Sequence, residues 1–231
     1  MRKRMAGRVR SLRRRIATHV FHRAYWGRRD PSAPWENTYW LGMRTQKCPL
    51  DLWVYQEILH ERRPDVIVEC GTLFGASAHF LASICDCLRH GRVISIDIAP
   101  QSPLPEHPRI TYLTGSSVDP SVVERLRRSI GVGESVMAIL DSDHARAHVL
   151  TELRIYSALV TPGEYLIVED TNLNGHPVCP EFGPGPREAV VEFLAENAGF
   201  EADRSREKLL LTFNPQGYLR KREPTSRAGA A

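Results

Sequence analysis

The chain has no apolar run near the roughly 20 residues that a membrane-crossing helix needs, which excludes a bundle of transmembrane helices. A secretory signal is not expected, because the opening stretch is basic and no uninterrupted apolar stretch follows it. Cysteine is scarce. The five are Cys48, Cys70, Cys85, Cys87 and Cys179, an odd number without paired zinc spacing. That excludes a disulfide framework and a thiolate zinc centre. Cys85 and Cys87 form a lone C-x-C inside a helical pattern and read as packing. Reduced thiols lead us to expect a cytoplasmic protein. Internal repeats and low-complexity segments are also missing.

Acid is absent from one end. Residues 1–29 hold eleven of the 31 Lys and Arg and no Asp or Glu, which leaves 20 basic against 27 acidic residues in the remainder. Within this arm Met5, Val9, Leu12, Ile16 and Val20 recur at helical spacing, with Arg8, Arg10, Arg13, Arg14 and Arg15 mostly on other faces. A basic amphipathic helix of this kind suits the surface of an anionic bilayer. No recognition motif accompanies the charge, so nucleic acid is not expected as a partner. We expect residues 1–34 to form this extension and a linker around "RRDPSAPWEN", and residues 35–231 to form one domain with a full core.

From Asp65 a regular alternation begins. Strands are expected at 66–70, 92–98, 109–115, 135–141 and 164–170, with helices at "ASAHFLASICDCLRH", "PSVVERLRRSI", "ARAHVLTELRIYSALV" and "PREAVVEFLAENA" between and after them. An earlier helical stripe, Leu52, Tyr55, Ile58 and Leu59, ends before Pro64. "FEADRS" and "KLLLTFN" read as a closing antiparallel pair. Strands alternating with helices imply an α/β fold with a mostly parallel sheet.

In open sheets of this class ligands gather at the carboxyl ends of the strands. The polar residues fall there. Glu69 ends the first strand and Asp97 the second; Ser116 and Ser117 follow the third, Asp141 the fourth, and Glu169 and Asp170 the fifth. Two chemistries fit one crevice. The first is a nucleotide-like cofactor. In "VIVECGTLFGAS", Gly71 and Gly75 allow a tight turn and close backbone approach. The fingerprint G-x-G-x-x-G is absent because position 73 is Leu, so a pyrophosphate would lose its cradle. An acid at the first strand end suits a cationic ligand, and Asp97 can take both ribose hydroxyls through its two oxygens. Together these favour S-adenosylmethionine over NAD. Thr72 belongs to the same loop.

The second chemistry is a hard divalent cation. Asp141, Glu169 and Asp170 stand on adjacent strand ends, where like charges repel unless protons or a cation come between them. Three carboxylates without thiols suit Mg2+ before Ca2+ or Mn2+. Asp143 stands where the next helix should begin and reads as its cap. His144 is expected in the first turn of that helix, whose N-terminus disfavours imidazolium. Beside a cation it is a candidate general base. Tyr39, Trp40 and Met43 could form an apolar wall for an acceptor. Asn174 and His176 lie in a Gly- and Pro-rich loop, 172–186, that could close over the site.

The stretches "ILDSDHARAHVLTELR", "YLIVEDTNLNGHPVCPEFGPGP" and "VYQEILHERRPDVIVECGT" resemble the cephalosporin hydroxylase family of class I methyltransferases. Within it the similarity is greatest to the rhamnosyl O-methyltransferases of phenolic glycolipid synthesis. The likeness covers roughly Thr38 to Leu219. It implies a Rossmann-like methyltransferase fold with a seven-stranded sheet and helices on both faces. It also implies S-adenosylmethionine with Mg2+ as cofactors, and assembly as a homo-oligomer. By the same resemblance Asp141, Glu169 and Asp170 are the metal acids and His144 the base. Glu69, Gly71 and Gly75 form the cofactor loop, and Asp97 is the ribose acid. No His-rich facial triad for iron is present, so oxidation is not expected. The expected function is Mg2+-dependent O-methylation of a sugar hydroxyl, a rhamnose-like deoxyhexose of a glycolipid or natural product, with the arm peripheral at the inner membrane face. The strand-end acids do not separate this from methylation of a non-sugar hydroxyl. A non-catalytic scaffold is the remaining alternative.

Overall fold

The computed structural model describes residues 2–27 and 32–224. Residues 28–31 of the expected linker, and the side chains of Met5, Arg8, Val9 and Arg10, lie outside what it describes. Helix α1 spans Arg2–Trp26. A short 3-10 turn, Pro34–Asn37, leads into a two-stranded hairpin, β1 (Tyr39–Trp40) and β2 (Met43–Arg44). Helix α2 (Pro49–Arg62) starts on a proline and stops at Arg63, whose left-handed backbone turns the chain before Pro64.

The sheet follows: β3 (Val66–Cys70), β4 (Arg92–Asp97), β5 (Ile110–Thr114), β6 (Val136–Leu140), β7 (Tyr165–Val168), β8 (Phe200–Ala202) and β9 (Tyr218–Lys221). Between them run α3 (Ala76–Leu88), α4 (Pro120–Ser129), α5 (Arg146–Tyr156) and α6 (Pro186–Glu196). The order across the sheet is β5-β4-β3-β6-β7-β9-β8, with β9 antiparallel to both neighbours and the pairs from β5 to β7 parallel. The strands read as continuous apolar runs because both faces are covered. Val66, Val68, Val136, Ala138, Leu166 and Val168 pack on the side of α4, α5 and α6. Ile67, Met137, Ile139 and Ile167 pack on the side of α2 and α3. Burying each such side chain is worth about 1.5–3 kcal/mol, so the central strands hold the crevice above them rigid.

The expected strand over 208–214 does not form. Leu211 and Phe213 instead bury themselves in a small separate cluster with Cys48. An apolar run reads alike as strand or buried segment. Here the Phe213 backbone N–H is taken by the Asp51 carboxylate at 2.8 Å, not by a neighbouring strand. The partner of β8 is β9, four residues of which two are charged.

That small cluster receives the N-terminal arm. Trp26 stacks on Trp35 at 5.0 Å and meets Phe213 edge-on at 5.0 Å. His22 is buried, stacks on Phe213 at 5.6 Å, and its Nε2 accepts from the Asn172 amide at 3.0 Å. Leu12, Ile16 and Val20 remain 57%, 55% and 61% exposed. Among the described residues no helix is long and apolar enough to cross a membrane.

Candidate active site

The sheet order reverses beside β3, whose neighbours are β4 on one side and β6 on the other. Ligands of open α/β sheets bind outside the strand ends at such a switch point. A cavity of about 730 Å3 lies there, and Gly71, Asp97, Ser116, Asp141, His144 and Asp170 all contribute to its wall.

One half is shaped by the turn after β3. Gly71 has φ +103°, and a Cβ placed on it would lie 1.9 Å from the Asp141 carbonyl oxygen. Only glycine lets the loops after β3 and β6 approach this closely. Leu73 takes a left-handed conformation, φ +45°, where a nucleotide loop would use glycine. Its strain, about 1–2 kcal/mol, is offset by a bond from its N–H to Asp97 Oδ2 at 2.9 Å. Asp97 Oδ1 accepts from the Ala99 N–H at 2.8 Å. The carboxylate is thus fixed by backbone on both oxygens, with lone pairs to spare for a hydroxyl-bearing ligand. Gly75 opens α3 at φ +73°.

Glu69 does not face the cavity. It is 1% exposed and accepts from Ser95 Oγ at 2.6 Å, while Ser95 Oγ lies 2.7 Å from Thr72 Oγ1. Burial pushes its pKa up to about 7, against the pull of Lys47. It underpins the loop and is not part of the cavity wall, where an acid at that strand end was expected to face a cationic ligand. Ser116 lies on the wall. Ser117 Oγ donates to Glu152 Oε1 at 2.5 Å, as Ser142 Oγ does at 2.7 Å. His148 Nε2 stands 3.2 Å from both serine hydroxyls. Its pKa is raised, first by its hydrogen bond to Glu152. His148 therefore belongs to this half and not to the acid cluster.

The other half is charged. Asp141, His144 and Asp170 each offer one atom, and these atoms lie within 4.8 Å of one another. His144 Nε2 is 3.3 Å from Asp170 Oδ2 and 4.0 Å from Asp141 Oδ1. His144 lies two residues ahead of α5, not in its first turn, so two carboxylates rather than a helix terminus set its surroundings. Asp143 Oδ1 accepts from the Ala145 N–H at 2.7 Å, capping the turn that leads into α5.

Glu169 turns inward. Its Oε1 accepts from Tyr55 OH at 2.9 Å, and its Oε2 pairs with Lys47 Nζ at 2.7 Å. Lys47 Nζ is also ion-paired with Asp141 Oδ2. Burial opposes the charge on Lys47, but Asp141, Glu169 and Glu69 outweigh it and hold its pKa above the ordinary lysine range. Burial likewise raises the pKa of Asp141, Glu169 and Asp170, and their mutual repulsion adds to it. Asn214 braces the corner: its Oδ1 accepts from the Asp170 N–H at 3.1 Å and its Nδ2 donates to Tyr55 OH at 2.9 Å. The carboxylate oxygens gathered here are the donors a hard divalent cation prefers, and the His144 ring stands beside them.

The other expected acceptor residues lie elsewhere. Tyr39 is 59% exposed, and Trp40 packs edge-on against Phe80 at 4.9 Å with its Nε1 donating to Ser83 Oγ at 3.3 Å. The hairpin aims Trp40 at α3, away from the cavity. Asn174 and His176 both bond Glu188 Oε1, at 3.2 and 2.8 Å, which ties their loop to α6. The residues missed from sequence are Lys47, Tyr55, Asn214 and Glu152. Lys47, Tyr55 and Asn214 act through contacts far along the chain that no local pattern marks, while the Glu152–His148 spacing of four residues on α5 is a local signal that could have found Glu152.

The sheet order, the glycine turn after β3 and the acid at the end of β4 define a class I methyltransferase fold. A solved apo structure of CmcI superposes with a TM-score of 0.65 at 24% identity, covering 87% of this chain and 84% of that one. A CmcI structure described as Mg-SAM gives 0.64 at 24% identity, covering 86% and 83%. The family model for rhamnosyl O-methyltransferase/CmcI matches residues 32–222, and the chain belongs to that family. Rhamnosyl O-methyltransferase of Mycobacterium leprae is 39% identical over 205 residues, 86% of this chain and 88% of that protein. Its counterpart from Mycobacterium bovis is 36% identical over 206 residues, 86% and 82%. The protein is accordingly an S-adenosylmethionine-dependent O-methyltransferase.

Proposed function

We propose that this protein methylates a sugar hydroxyl, on a rhamnose-like deoxyhexose carried by a glycolipid or natural product, with Mg2+ as its metal. The reading rests on one juxtaposition: Asp141, His144 and Asp170 converge in the wall of the cavity that Asp97 and the Gly71 turn shape. Its substrate class rests on relatives named as rhamnosyl O-methyltransferases. S-adenosylmethionine would lie along the Gly71 turn, with Asp97 taking its ribose. Asp141, Asp170 and Glu169 would hold the cation, which when bound supplies the positive charge that acidifies a hydroxyl.

The chain's own groups do the rest. Asp170 orients the His144 ring at 3.3 Å. In its neutral form that ring would receive the hydroxyl proton as the hydroxyl oxygen takes the methyl group from the sulfonium donor, which would leave as S-adenosylhomocysteine. Walls that held the two reactants in line would contribute several kcal/mol to lowering the barrier. The exposed face of α1, Leu12, Ile16 and Val20 among arginines, would rest on an anionic membrane and bring the site to a lipid-borne acceptor. Sedimentation with anionic but not neutral vesicles checks that part.

Labelled S-adenosylmethionine and a panel of rhamnosyl and non-sugar acceptors test the function. We expect transfer to the rhamnosyl acceptor, loss of transfer with chelator, and a fall of about a thousandfold or more in Asp141→Ala with cofactor binding nearly unchanged. Full activity in chelator would defeat the metal reading; labelling of only non-sugar acceptors would defeat the substrate reading.

A further inference from the structure

Lys47 has no part in the chemistry above, yet it is the most deliberately placed charge in the crevice. It sits between the β1–β2 hairpin and α2, with its side chain 7% exposed. Thr38 Oγ1 holds its backbone at both ends, donating to the Lys47 carbonyl at 3.1 Å and accepting from its N–H at 3.2 Å. The stem is thereby delivered into the crevice, where the ammonium bridges Asp141 Oδ2 and Glu169 Oε2. Those acids stand at the ends of neighbouring strands, β6 and β7. With Asp170 they make three carboxylates in one largely buried corner, Glu169 the deepest, and an unpaired charge there is unfavourable. The ammonium supplies the missing positive charge.

It also occupies one oxygen of each of the two acids, Asp141 and Glu169, that would hold a divalent ion. A divalent ion on a shared oxygen would repel the ammonium more strongly than that oxygen holds it, because the ion carries twice the charge. We propose that Lys47 is a resident counter-cation that is exchanged for the metal: a divalent ion binding to Asp141, Glu169 and Asp170 expels the ammonium into the adjoining cavity, whose wall Lys47 already forms. The inference rests on the metal reading given above. The exchange leaves Asp141 and Glu169 partnered when no metal is bound, and it sets metal affinity below what three carboxylates alone would give.

Two measurements test it, both with MgCl2 alone. Titration calorimetry compares the protein with Lys47→Met, which keeps the length of the stem and removes the charge. Mg2+ is expected to bind the variant about tenfold more tightly or better; unchanged or weaker binding overturns the exchange. The second uses the unaltered protein, so it does not depend on the variant folding. Acylation with a small amine reagent, read by peptide mass spectrometry, should label Lys47 several-fold more at saturating Mg2+, while Lys208 labels equally in both conditions. Mg2+ binding without any change at Lys47 overturns the exchange and leaves the metal site standing. No Mg2+ binding to either protein overturns both.

Discussion

The two halves of the crevice are held by different means. Around Gly71, Leu73 and Asp97 the wall is set by backbone: a positive φ, a close carbonyl, and two N–H groups fixing one carboxylate. Around Asp141, Glu169 and Asp170 it is set by charged side chains that reach one another across long stretches of chain. The first half is rigid before any ligand arrives. The second must redistribute its contacts when its ionic content changes. A methyl donor needs a fixed seat, whereas an acceptor hydroxyl has to be made reactive only once it is present.

The sharpest way to break this contrast is Gly71→Ala. The added carbon would meet the Asp141 carbonyl at 1.9 Å, and both partners are backbone. We expect a loss of about 3–5 kcal/mol in urea unfolding, with cofactor binding abolished. A variant within about 1 kcal/mol of the parent would show the rigid half to be pliable.

The next largest effect concerns the charged half, through the arm that backs it. His22 is buried against Phe213 and accepts from Asn172, two residues beyond Asp170. Burial first, and then the nearby His19, lower its pKa to about 4 from 6.5. Above pH 6.5 the ring is neutral whether docked or released, and docking is at full strength. As pH falls from 6.5 towards 4, the released ring takes a proton that the docked one refuses. Docking should therefore weaken by up to roughly 3 kcal/mol. Hydrogen exchange in α1 and the fluorescence of Trp26 and Trp35 report it. Protection that stays flat over this window would separate the arm from the charged half.

The smallest effect should come from Asp97→Ala. Cofactor affinity should fall by about 1–3 kcal/mol, the worth of hydrogen bonds to a charged group, as read by calorimetry, while Mg2+ binding is unchanged. A matching loss in Mg2+ binding would mean the two halves are not separable.

The same contrast explains what could be read from sequence. The strand ends were legible because apolar runs stop on polar residues, and β6 and β7 place Asp141, Glu169 and Asp170 where that pattern puts them. The Gly71 turn was legible because a glycine after a buried strand has few other uses. Lys47 was not, since 94 residues separate it from Asp141; nor was Tyr55, 114 residues from Glu169. Pairs of that span leave no periodic trace. The aromatic residues of the hairpin misled for a related reason: composition shows that Trp40 will be covered, but not that Phe80 will cover it. "KLLLTFN" misled because burial and strand share one signature, and "YLRK" hid a strand behind two charges.

The insertion of β9 between β7 and β8 also bears on how the chain is made. Tyr165–Val168 leaves the ribosome more than fifty residues before the segment that pairs with its outer edge. Until Tyr218–Lys221 emerges, β7 presents a bare ladder whose four positions are all destined for burial, the kind of edge on which nascent chains stick to one another. Fragments ending short of β9 would be left in that condition permanently, so their solubility, more than their activity, would be the first property to fail.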